Sequence, residues 1–183
     1  MFEKFALFIH IIGAIGLFAA MALQISGLAA FRRATTVEQV RGIISGSSKL
    51  LVLAPVSAIL ILVSGPYLMY LASKEHYDVG WAGIAFAIFV IIGIIGGITS
   101  RRDAKIIQAE VDGSDDQFTD ELRDMLHDTK FLTIPLVSIW TLSGVVALMV
   151  FKPDMAISVL IVAAAIAIGF ANAALIRKDL LKL

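Results

Sequence analysis

His10 is the only ionisable side chain well inside one of the long apolar runs of this 183-residue chain, and such a group in hydrocarbon is costly enough to mark a functional candidate. Gly13 and Gly16 follow it in the pattern His-x-x-Gly-x-x-Gly. Three-residue spacing keeps the glycines on or near the histidine's side of a helix, where missing side chains leave room for a flat ligand against the backbone. Imidazole Nε2 is a common axial ligand of haem iron. His10 and Gly13 are therefore candidate cofactor-binding residues, with haem b as the cofactor. A proton or substrate contact, and a neutral histidine bonded to a neighbouring helix, are the other roles open to His10. No second histidine lies in an apolar run, so a sixth haem ligand would come from water, Met69, His76 folded inward or another subunit.

Glu75, His76 and Asp78 stand together on a short connection, and carboxylate with imidazole can bind a divalent metal. His10 and His76 are the metal-ligand candidates, with a solvated turn as the plainer reading of the connection. Trp140 lies near the middle of its run, where the indole N–H needs an acceptor. Gln24 and Asn172 fall at similar depth in their runs, and an interhelical hydrogen bond between them would be worth about 0.6–2 kcal/mol. No nucleophile, base and orienting group can be assembled, since His127 lies far along the chain from His10 and there is no cysteine. Asp112-Gly113-Ser114-Asp115 is acidic but lacks the glycine position and final glutamate of a calcium loop.

The elements that must position these residues are five apolar runs, at 5–31, 50–72, 82–100, 131–151 and 156–176. Each approaches the roughly 20 residues that a helix needs to cross about 30 Å of hydrocarbon. With a mean hydropathy of +0.92, the chain reads as a single all-α membrane domain of five transmembrane helices. Twelve of its 15 Lys and Arg residues fall between runs one and two, between runs three and four, or after run five. Basic residues concentrate in cytoplasmic segments, which places the N-terminus outside and the C-terminus in the cytoplasm of a bacterial plasma membrane. Ala20-Met21-Ala22 resembles a signal-peptide cleavage site, but the run is longer than a typical signal core and reads as a spanning helix.

The cytoplasmic connection 101–130 is acidic. Nine carboxylates lie between Asp103 and Asp128 against Lys105 and Arg123, a balance that repels nucleic acid and anionic lipid. Two capping boxes are expected, at Thr36-Val37-Glu38-Gln39 and Ser114-Asp115-Asp116-Gln117. Val37, Val40, Ile43 and Ile44 then form one apolar face, lying on the membrane interface or on the underside of the bundle. Phe118, Leu122, Met125 and Leu126 follow the second box at helical spacing.

Gly93 and Gly97 in run three, and Ala165, Gly169 and Ala173 in run five, predict close helix approach, within the chain or in a homo-oligomer or a complex with another membrane protein. Pro55 and Pro66 predict bends in run two. Tyr67, Tyr70, Tyr77 and Trp81 read as an interfacial aromatic belt. Lys49 to Met69 and Lys130 to Met149 share Pro, Ser-Gly and Leu-Met landmarks, which suggests that helices 2–3 and 4–5 form a parallel repeat.

Phe8-Ile9-His10-Ile11-Ile12-Gly13-Ala14-Ile15, with Leu148-Met149-Val150-Phe151-Lys152-Pro153, resembles a family of bacterial predicted integral membrane proteins. The Lys4-x5-His10-x-x-Gly13 opening is also similar to copper-resistance D-type membrane proteins and to haem-dependent protoporphyrinogen oxidases, a resemblance that implies haem at His10. Leu17-Phe18-Ala19-Ala20 replaces the tryptophan and further signature residues of the oxidases. The functional expectation is a helix-bundle subunit or scaffold, with a haem- or metal-binding electron-transfer protein and a small permease as alternatives.

Overall fold

The computed structural model describes residues 1–48, 52–74, 79–113, 117–128 and 130–180, and all regular structure among them is helical. The helices are α1 (Phe2–Phe31), α2 (Val37–Ser48), α3 (Leu53–Lys74), α4 (Gly80–Gly113), α5 (Asp120–His127), α6 (Lys130–Phe151) and α7 (Met155–Leu180). Helices α1, α3, α4 and α7, together with α6, are long and apolar enough to cross a bilayer. Several of their hydroxyls are satisfied within their own helices: Thr99 donates to the Ile95 carbonyl at 2.8 Å, Thr141 to Val137 at 2.7 Å and Ser143 to Ile139 at 2.9 Å. Hydrocarbon offers such groups no other partner. Ile59, Val63, Ile94, Leu160 and Leu175 point outward, as lipid-facing side chains do.

The centre of the bundle is α6, which packs against α7, α4 and α1, while α3 lies chiefly on α1. As a central helix, α6 buries side chains on more than one side, Leu132 and Leu136 on one and Thr141, Leu142, Val145 and Leu148 on another. The α6–α7 seam is closest at two glycines. A Cβ on Gly169 would stand 2.7 Å from the Val137 Cα, and one on Gly144 would stand 2.8 Å from the Ala165 Cβ. The expected close approach in run five is thus met, with α6 as the partner. The two helices are joined by a tight turn. Lys152 takes a left-handed φ of 47°, Pro153 cannot continue α6, and the Asp154 carboxylate accepts from the Ile157 N–H at 2.9 Å to start α7.

Gly93 and Gly97 behave otherwise. A Cβ at either position, or at Gly96, would meet nothing within 4 Å, so this GxxxG pair does not pack inside the chain. The reason lies in how α4 is held. Ala82 and Ala85 are buried near its start, and Ile107 and Val111 near its end, while Ile91, Ile94, Ile95 and Ile98 between them are exposed. Run three also does not end at 100. Residues 101–111 contain no Gly or Pro and several strong helix formers, and α4 continues to Gly113. Pro55 causes no break, because it falls in the first turn of α3, where an N–H has no intrahelical acceptor. The same helix runs on through Pro66.

Beyond the spanning bundle, α2, the end of α4 and α5 close a small apolar cap around Val37, Val40, Ile107, Val111, Leu122 and Leu126. The apolar face of α2 therefore rests on protein, the second of its two expected placements. Thr36 caps α2 by accepting from the Gln39 N–H at 3.3 Å. Gln39 returns its carbonyl to the Thr35 N–H at 2.8 Å, one residue earlier than a reciprocal box requires. The second expected box is displaced. Gln117 and Phe118 precede α5, Thr119 caps it by accepting from the Leu122 N–H at 3.1 Å, and Ser114–Asp116 lie outside the described residues. Asp120 and Glu121 in the first turn suit this later start, since carboxylates are favoured at a helix N-terminus.

Arg32, just past α1, ties the bundle to the cap. Its Nη2 donates to the carbonyls of His127 at 3.3 Å and Asp128 at 3.5 Å, at the end of α5 where carbonyls lack helical donors. Burial lowers the Arg32 pKa from its ordinary value, and the Asp128 charge opposes that shift.

Candidate functional site

His10 faces α3. Its Nδ1 lies 3.1 Å from Ser64 Oγ, and the Ser64 hydroxyl donates its one proton to the Leu60 carbonyl at 2.5 Å. Ser64 can then only accept from the imidazole. Nδ1 then carries a proton, so in the neutral ring Nε2 is the nitrogen with the free lone pair. The ring lies beside Gly65, where a Cβ would stand at an ordinary contact distance of 3.5 Å from His10 Cε1. Sequence reading found Ser64-Gly65 only as a landmark of the proposed repeat, and no local pattern relates it to a histidine 54 residues earlier.

The space above the two motif glycines is filled. A Cβ on Gly13 would come within 3.1 Å of the Leu60 Cβ and the Ser57 carbonyl oxygen, and within 3.0 Å of Ile61. One on Gly16 would collide with the Ser57 hydroxyl. The glycines thus admit α3 rather than a flat ligand, and His-x-x-Gly-x-x-Gly acts as one side of a helix seam. A haem plane over Gly13 does not fit this packing. The tautomer does leave Nε2 with the electronic form of a ligand, as a single donor.

The other candidates do not converge on His10. Gln24 Nε2 donates to Ser100 Oγ at 2.8 Å, so its partner is on α4 and not Asn172 of α7. Asn172 is half-buried. Trp140 lies on α6 with its Cβ beside Gly169 and its side chain at the bundle surface, where it fills no closed cavity. Tyr67 and Tyr70 are exposed at the end of α3, with the Lys74 Nζ 4.7 Å from the Tyr70 ring centroid. Glu75, His76, Tyr77 and Asp78 lie outside the described residues. His127 is in the cap, its Nδ1 2.8 Å from the Arg123 carbonyl. Among the described residues, no group of three or more His, Asp or Glu could hold a metal ion.

Five apolar spanning helices, closed at one end by a protein cap and exposing aliphatic side chains around their girth, define a polytopic helical protein embedded in a lipid bilayer. Residues 4–153 match the model of the family described as predicted integral membrane protein (DUF2269), and the chain belongs to that family. The match includes both segments, Phe8–Ile15 and Leu148–Pro153, on which that resemblance was read. No curated protein and no solved structure matches the chain.

Proposed function

We propose that this protein is a helix-bundle subunit or scaffold of a bacterial plasma membrane, with its N-terminus outside, its cap in the cytoplasm and a second copy or another membrane protein beside it. The observation that carries the reading is the filled seam at His10. Ser57, Leu60 and Ile61 of α3 occupy the space that a cofactor would need above Gly13 and Gly16, and the imidazole is engaged with Ser64. The one ionisable group deep in the span thus pins two helices. The test is the absorbance spectrum and metal content of protein expressed with added haem and copper, beside His10→Ala. Colourless, metal-free protein, with the variant folded and about 1 kcal/mol less stable, is expected. A Soret band that His10→Ala abolishes would overturn it.

A second reading rests on the unprotonated Nε2. In a haem- or metal-binding electron-transfer protein, His10 would be the donor and Ser64 would orient the ring through Nδ1–H, as partners of ligating histidines do. That reading requires α3 to move away from Gly13, and it is the outcome the same spectrum would reveal.

A further inference from the structure

Arg32 and Arg33 are adjacent but turn to different tasks. Arg32 reaches the end of α5. Arg33 lines an open cleft of about 640 Å³ between the end of α1 and the start of α2, together with Ser26, Ala29, Ala30, Gln39 and Ile43. Among the described residues the Arg33 guanidinium has no ion-pair or hydrogen-bond partner.

Of the three polar side chains that line this cleft, Arg33 and Gln39 offer donors. The Gln39 carbonyl is used by Thr35, so its NH₂ remains to donate. Ser26, whose proton goes to the Ala22 carbonyl at 2.8 Å, presents its oxygen as an acceptor instead. The acidic run of the cap lines neither wall, and Glu38 borders a separate groove with Arg41. An unpaired guanidinium beside a free amide donor, over a floor of small apolar side chains, matches a phosphate with hydrocarbon or glycerol attached. Arginine's planar fork suits phosphate oxygens. The level matches too, since the cleft opens where α1 leaves the apolar span, and basic pockets at that depth hold lipid headgroups.

We propose that this cleft binds a phosphate-bearing anion, with Arg33 as the charged donor and the Gln39 amide as the neutral one. An anionic phospholipid headgroup and free phosphate are the two sources of that chemistry. The test is thermal unfolding of the purified full chain in uncharged detergent, titrated with short-chain phosphatidylglycerol, inorganic phosphate, or chloride at matched ionic strength. A saturable rise in Tm is expected with phosphatidylglycerol or phosphate and not with chloride. Arg33→Gln should weaken it about tenfold or more, as loss of a charge-assisted hydrogen bond does, while Arg101→Gln, exposed on α4, should not. Gly42 also lines the cleft, and a Cβ there would meet nothing within 4 Å, so Gly42→Leu should keep the ligand-free Tm yet block binding. Saturation by phosphatidylglycerol alone identifies a lipid headgroup, and equal saturation by phosphate identifies a soluble source. A wild type that responds equally to chloride, or an Arg33→Gln variant that titrates like wild type, would overturn the proposal.

Discussion

Gly169→Ala puts a carbon 2.7 Å from the Val137 Cα, whereas non-bonded carbons rest about 3.5–4.0 Å apart. The obstructing atom is backbone, so no rotamer change can relieve the contact, and α6 and α7 must separate by about 1 Å. Gly144 against Ala165 sits on the same seam, and that contact would be loosened as well. Overpacking of this kind costs about 1–3 kcal/mol. Alanine returns about 1 kcal/mol through its higher helix propensity, leaving a net loss of about 0–2 kcal/mol. Gly97→Ala carries the same propensity gain into open space and should be neutral or stabilising by up to about 1 kcal/mol. Reversible unfolding by SDS in mixed micelles can compare them, followed by tryptophan fluorescence, because the Trp140 Cβ would lie 3.4 Å from the new carbon at 169. If Gly169→Ala unfolds with wild-type behaviour while Gly97→Ala is destabilised, the packed and open faces have been assigned the wrong way round.

Arg32→Gln removes the guanidinium that serves the last carbonyls of α5, and should speed amide hydrogen exchange there about tenfold while leaving α6 unchanged; unaltered exchange in α5 would refute the latch. Of single cysteines at Ser73 and Ala109, near the bundle's open end and in the cap respectively, only the one at Ser73 should react with a membrane-impermeant reagent in intact cells. Labelling of both would overturn the orientation read from Lys and Arg.

The spanning helices were readable because hydrocarbon imposes one simple demand, an uninterrupted apolar stretch of sufficient length. Their ends were less so. Apolarity stops at Ser100, yet nothing in Arg101–Val111 disfavours helix, so α4 continues where the apolar signal ceases. Helix packing was read unevenly. Gly93 and Gly169 look alike as sequence, and only the arrangement of α6 decides that one is filled and the other open. The candidate site shows the same limit. His10 stood out as an ionisable side chain in an apolar run, but Ser64, Gly65 and the α3 side chains over Gly13 are set by which helices become neighbours. The different duties of Arg32 and Arg33 likewise follow from where α2 and α5 dock, since as neighbours in sequence they read only as positive charge.

The length and grip of α4 have a mechanical consequence. Its 34 residues form a continuous rod of about 50 Å at about 1.5 Å per residue. One end is clamped by the α6–α7 hairpin through Ala85, Val145, Leu148 and Val162, and the other is clamped in the cap through Ile107 and Val111. Between the clamps, Ile91, Ile94, Ile95 and Ile98 are exposed. A continuous helix held at both ends, and tied to α1 between them by the Gln24–Ser100 bond, links the movements of those ends. The packing of the α6–α7 hairpin and that of α2 and α5 are thus joined through one uninterrupted helix.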